Sequence, residues 1–187
     1  MFQAQAQASP SARPGTASSR TSRVATLVPV PVDAAVDAAS MLTAVHARVE
    51  RQFALYEQAE GSHPRRYQAV RAIGAALATH VVLEDELLYP ALRFHTARHD
   101  GEIERQLEQD HLLDRIMVEL GGMIPADRRF DAKVQVLLQV FRQHASDSEA
   151  LLVPELRRRL DPGERERLAN RLLERVGQLE GRLRPGW

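Results

Sequence analysis

The chain has no cysteine, which excludes disulfides, thiolate metal sites and cysteine nucleophiles. It is also nearly without lysine: Lys133 stands alone and every other basic residue is arginine. That skew is what a GC-rich coding sequence produces, and it carries no function of its own. Net charge is absent, with Lys+Arg and Asp+Glu at 25 each. No global basic field draws the protein to nucleic acid or to a membrane surface. Long apolar runs are missing too. Leu27-Val28-Pro29-Val30-Pro31-Val32 is too short and too proline-broken to span a bilayer, so a soluble, cytoplasmic protein is expected.

No acidic residue occurs before Asp33. Residues 1–31 are rich in Ala, Ser, Gln, Pro and Arg without apolar periodicity, the composition of a disordered tail. Arg13, Arg20 and Arg23 in this Ser-rich stretch have the make-up of an organellar transit peptide. A clean amphipathic helix is lacking, and the tail reading is preferred. Residues 32–187 read as one domain, and 187 residues in all suffice for a sizeable core.

From Asp33 onward the pattern is helical throughout. Helix A is expected from Asp33 to Glu60, with Leu42, His46, Val49, Phe53 and Tyr56 on one stripe. Ser62 and Pro64 open helix B, whose stripe is Val70, Ile73, Leu77, His80, Glu84 and Leu88, with Pro90 loosening its last turns. Helix C starts near Asp100, with Ile103, Leu107, His111, Asp114 and Val118 facing inward. Helix D starts near Asp127 and carries Val134, Leu137, Phe141, His144, Ser148 and Leu152. Asp161-Pro162-Gly163 breaks the chain before a short last helix. Four long helices with short connections predict an all-α, antiparallel up-down-up-down four-helix bundle.

Against this background four histidines stand out. His46, His80, His111 and His144 recur at nearly equal intervals, one on the apolar stripe of each helix, and Glu84 follows His80 by one turn. Singly, each reads as a satisfied core histidine. Together they place strong donors on four inward faces, where an unpartnered polar group costs a few kcal/mol. Neutral imidazole with carboxylate suits iron, manganese or zinc. The chain also repeats itself. DELLYPALR at 85–93 answers EALLVPELR at 149–157, and in both a histidine stands ten positions before the proline. His95 and His99 have a spacing that can clip a metal, but they fall outside the apolar register and read as a solvated helix end.

These residues resemble the hemerythrin-like HHE cation-binding domain. The closest match is Thr79 to Leu92, THVVLEDELLYPAL, joined by EQDH ending at His111. The resemblance covers about residues 35–180. It implies a bundle holding two irons bridged by carboxylates and an oxygen species, with roles in O₂ or NO binding, sensing or iron handling. Its ligands would be His46, His80, Glu84, His111 and His144, with Glu84 bridging. The pattern's second carboxylate, four residues after His144, is absent, because Ser148 stands there. Its acidic neighbours Asp147 and Glu149 lie about 100° to either side. Glu50, one turn after His46, Asp114, three residues after His111, and Ser148 itself are the additional candidates.

Two classes of function follow: a non-haem iron sensor or carrier for a small diatomic ligand, or a bundle with one metal or none that serves as a regulatory interaction module. No dedicated acid/base set argues for an enzyme. No nucleic-acid or membrane partner is expected, and no protein partner is identified by the sequence.

Overall fold

The computed structural model describes residues 37–95 and 100–183. The expected tail, residues 33–36 of helix A, His99 and the side chain of His95 lie outside the described residues. Six α-helices fill them: α1 (Ala38–Gln58), α2 (His63–Leu83), α3 (Tyr89–His95), α4 (Asp100–Gly121), α5 (Phe130–Arg159) and α6 (Pro162–Leu183). Among the described residues there is no strand, and the fold is all-α. No helix there is long and apolar enough to cross a membrane.

The turn after α1 rests on Gly61, whose φ of 76° is open to glycine and strained for other residues. Ser62 then caps α2 by backbone geometry, and Pro64 sits in its first turn, where a missing N–H costs nothing. A π-helical turn, Glu84–Leu88, links α2 to α3. Its cause is Pro90. The pyrrolidine ring supplies no N–H and crowds the carbonyl four residues earlier. The backbone widens just ahead of it, and the Tyr89 N–H bonds to the Glu84 carbonyl five residues back. Pro154, the repeat's counterpart, leaves α5 unbroken. Pro154 and Ala150 are both exposed, so water can serve the carbonyl that the proline leaves unpaired.

The last helix is not short. α6 spans 22 residues, and the Asp-Pro-Gly-Glu sequence that reads as a breaker is its start signal. Asp161 Oδ1 accepts from the Glu164 N–H and Glu164 Oε2 accepts from the Asp161 N–H, each at 2.8 Å. This is a reciprocal capping box with proline inside the first turn. α6 packs on α1, α2 and the π turn. Arg175 binds both carboxylate oxygens of Glu86 at 2.7 Å, and Arg48 reaches Glu180 at 2.5 Å.

Two apolar clusters form the core. One gathers Leu42, Leu83, Leu88, Ile103, Leu152 and Leu156 with α6 residues such as Leu172. The other gathers Val49, Phe53, Ile73, Leu77, Leu113, Leu137 and Phe141. Each buried large side chain contributes about 1.5–3 kcal/mol. α1 and α4 run from the first cluster to the second, whereas α2 and α5 run from the second to the first. Gly74 allows close approach of α4 to α2, because a Cβ there would sit 2.7 Å from Met117 Cε.

Gln106 on α4 is fully buried, and neither its Oε1 nor its Nε2 has a hydrogen-bond partner among the described residues. Gln106→Leu should therefore stabilise the protein by about 1–2 kcal/mol, the desolvation cost of the orphaned amide. Urea titration of the two proteins measures it, and a destabilised variant would mean the amide is satisfied in solution.

Candidate metal centre

Between the two apolar clusters each of three helices turns a polar residue inward. His46 comes from α1, His80 from the last turn of α2 and His144 from α5, while Glu84 opens the π turn. His80, Glu84 and His144 are fully buried and His46 is 3% exposed. One donor atom from each of the four lies within 4.8 Å of the others. His80 Nε2 and His144 Nε2 are 2.8 Å apart, and Glu84 Oε2 is 3.1 Å from His144 Nε2 and 3.5 Å from His80 Nε2. His46 Nε2 faces Glu84 Oε1 at 3.7 Å. Phe141, one turn before His144, packs its ring against all three imidazoles at centroid distances of 5.9–6.5 Å.

The far side of His46 is anchored. Its Nδ1–H donates to Glu149 Oε1 at 2.8 Å, and its Nε2 is buried with no hydrogen-bond partner among the described residues. A carboxylate behind an imidazole orients the ring and fixes its tautomer. Glu149 thus serves the site from behind a histidine, a role its angle on α5 permits although a bridging position is denied to it. Ser148 is fully buried and donates its hydroxyl to Glu84 Oε1 at 3.2 Å.

α4 corrects the sequence reading. His111 was expected on the inward stripe, but its side chain is 70% exposed and its nearest acidic neighbour is the exposed Glu108. The physical reason is helical phase. Each step of four overshoots a full turn by about 40°, so two steps from Ile103 to His111 drift about 80° off its face. The inward stripe is Ile103, Gln106, Asp110, Leu113 and Leu120. Asp110, 1% exposed, therefore takes the place expected of His111. Its Oδ1 is 3.5 Å from His144 Nδ1 and 3.9 Å from His80 Nε2. Mixed steps of three and four, counted from Ile103, run through it.

Tyr89 carries no site role in the sequence pattern. It is instead buried at the site, with its hydroxyl 2.5 Å from Glu84 Oε2 and 3.0 Å from Asp110 Oδ2. In an unbroken α-helix residues five apart differ by about 140° around the axis. The wider π turn reduces that angle and brings Tyr89 onto the face of Glu84. Proline inside a helical pattern was the available signal. Neither other carboxylate candidate joins the cluster. Glu50 forms a two-point pair with Arg142 at 2.9 and 3.1 Å, and Asp114 is exposed.

Burial and neighbours divide the charges. Burial drives the His80 imidazole down to about 3, against the opposing pull of Glu84. Burial also opposes ionisation of Glu84, but the imidazoles around it, His80, His144 and His46, hold its carboxyl well below the usual range. Burial lowers His144, but its hydrogen bond to Glu84 and the Glu84 charge outweigh this and raise it. Asp110 is pushed up to about 8, first by burial and then by Glu84. It therefore keeps its proton at neutral pH, and its Oδ2 accepts from the Tyr89 hydroxyl. Burial, Glu84 and Asp110 together push the Tyr89 hydroxyl far up.

The donor set fits a transition-metal cation. His46 Nε2, His80 Nδ1, His144 Nδ1 and Asp110 Oδ1 are buried without a hydrogen-bond partner among the described residues. Three imidazoles that can be neutral and an ionised carboxylate converge in a water-poor core, the chemistry that binds iron, zinc or manganese. A cavity of about 10 Å³ opens beside His80 and Glu84, walled by Met41, Leu42, Val45, Leu83, Leu88 and Leu172. That is about room for one water-sized molecule.

The family model described as Hemerythrin HHE cation binding domain matches residues 37–156. No curated protein and no solved structure matches the chain significantly.

Proposed function

The chain belongs to the hemerythrin HHE cation-binding domain family, and from that premise we propose that it is a cytoplasmic non-haem iron protein that senses or carries a small diatomic ligand, O₂ or NO. The observation that carries this reading is the buried convergence of His46, His80, Glu84 and His144. We place these residues in an antiparallel up-down-up-down four-helix bundle. The alternating travel of α1, α2, α4 and α5 between the two apolar clusters supports that topology. Residues 1–31 are proposed as a separate tail.

His46, His80 and His144 would hold iron through imidazole nitrogen, and Glu84 through its carboxylate. Bound iron would supply a redox-active centre with affinity for a diatomic ligand. Glu149 keeps His46 Nε2 aimed inward by holding its Nδ1–H. Tyr89 holds Glu84 Oε2, and Ser148 donates to Oε1. Phe141 excludes water from one side of the cluster. The cavity beside His80 and Glu84 is walled by apolar side chains, a lining that favours an uncharged small molecule over an anion.

Two metals would need a second bridging carboxylate, and Ser148 does not provide one. One iron with a regulatory role is the second reading that this residue favours. The test is metal analysis of protein purified without chelator or nickel, set against the His80→Ala plus His144→Ala double variant. The wild type should carry one or two irons per chain, and the double variant almost none. Equal metal in both would remove the cluster from the function.

A further inference from the structure

We propose that α4 contributes Asp110, in place of His111, as a ligand of the metal, and that Tyr89 is the residue that positions it. The inference rests on the metal-binding reading of His46, His80, Glu84 and His144 and adds a fifth donor to it.

Three observations carry it. Asp110 is 1% exposed and its Oδ1 has no hydrogen-bond partner among the described residues, although it lies 3.5 Å from one imidazole and 3.9 Å from another. An acceptor so placed in a dry core is costly unless something fills the space in front of it. His111, the alternative donor, is 70% exposed on the opposite side of the phase boundary. Reaching the cluster would require α4 to rotate by about one residue, which would expose Asp110 and displace Leu113 and Leu120 from the core. Charge points the same way. Three neutral imidazoles and Glu84 leave a divalent ion with one uncompensated positive charge in a low-dielectric interior. A second carboxylate balances it, and position 148 does not supply one.

Tyr89 completes the arrangement. Its hydroxyl lies between one oxygen of each carboxylate, Glu84 Oε2 at 2.5 Å and Asp110 Oδ2 at 3.0 Å. Asp110 is thereby held through Oδ2 and presents Oδ1 to the imidazoles, while the Glu84 oxygen that Tyr89 holds also faces His144 and His80. The π turn that Pro90 imposes is what brings Tyr89 to this position. Proline, tyrosine and aspartate thus form one unit spanning α3 and α4.

The experiment uses the full-length chain, stripped of metal and titrated with Co²⁺ alone, whose visible bands report coordination geometry. Wild type is compared with Asp110→Asn, His111→Ala, Tyr89→Phe and His80→Ala, each checked for helix content. His111→Ala should match wild type in affinity and spectrum. Asp110→Asn should weaken Co²⁺ binding by more than 100-fold and change the band shape. Tyr89→Phe should weaken binding by about 10–100-fold, as expected for a supporting partner, while saturated protein keeps the wild-type bands. Wild-type behaviour of Asp110→Asn, or metal loss in His111→Ala, overturns the inference. The second result does so even if Asp110→Asn fails to fold, because His111 is exposed. Metal loss in His80→Ala with Asp110→Asn unaffected overturns this inference alone, whereas a wild type that binds no Co²⁺ overturns the metal-binding reading beneath it.

Discussion

Raising the pH from 6.5 to 8 should destabilise the metal-free protein and, over the same interval, tighten its hold on a divalent metal. Asp110 sets the first effect. Its carboxyl is pushed from an ordinary 3.8 up to about 8 by burial and by Glu84. Between pH 6.5 and 8 the folded state therefore keeps a proton that the unfolded chain has lost, and stability falls as pH rises. Over that interval the loss is about 2 kcal/mol, at about 1.4 kcal/mol per pH unit. His144, raised above its ordinary 6.5, acts in the same direction: its stabilisation is complete below 6.5 and is lost as pH rises through its folded value. Below 6.5 His80 opposes this. It is held at about 3 when folded and titrates at 6.5 when unfolded, so acid favours unfolding there. The metal-free curve should flatten between pH 5 and 6.5, where the Asp110 and His80 contributions cancel.

Metal binding displaces the protons on His144 and Asp110, so affinity rises with pH and protons are released on uptake. Stabilisation by metal reaches about 4 kcal/mol at a thousandfold excess over the dissociation constant. The shift in melting temperature between chelated and loaded protein should thus be larger at pH 8 than at pH 6.5. Circular-dichroism melts at the two pH values, with chelator and with metal, measure all of this. A chelated protein that melts higher at pH 8, or a metal-induced shift equal at both values, would contradict the assignment of these protons.

Ser148→Glu should be the most metal-dependent of the variants. Ser148 is fully buried and its hydroxyl is 3.2 Å from Glu84 Oε1. A glutamate there would press a second carboxylate against the first. Without metal this should cost roughly 3–5 kcal/mol, the scale of an uncompensated buried charge. With metal the new carboxylate could lie between two cations and neutralise charge, so most of the loss should be recovered and the metal content per chain should rise. Glu50→Gln and Asp114→Asn should leave metal content unchanged, because Glu50 is held by Arg142 and Asp114 is exposed. Paired measurements of melting temperature and metal content decide it. A metal-free Ser148→Glu protein as stable as wild type would place position 148 away from Glu84. Unchanged metal content would place it outside the reach of the ion.

The sequence by itself determined the helical class and the inward phase of the histidines on α1, α2 and α5 that the fold brings together. A 3.6-residue apolar rhythm with breakers only between segments admits little else, and on α1, α2 and α5 the histidine sits in phase with several apolar neighbours, as Phe141 and Leu137 accompany His144. It also marked the resemblance to the HHE family, because His80 and Glu84 share one element. Tertiary structure decided the rest. On α4 the choice between Asp110 and His111 is a matter of about 100° of helix rotation, set by which of Leu113, Leu120 and Val118 the neighbouring helices can bury, and no local signal along α4 settles it. The roles of Tyr89 and Glu149 depend on partners that are not local contacts of a regular helix. Tyr89 needs a backbone widened by Pro90 and a carboxylate from α4, and Glu149 needs a histidine 103 residues away. Periodicity records which face of a helix is buried. It does not record what stands opposite that face, and that is where the chemistry of this site was assigned.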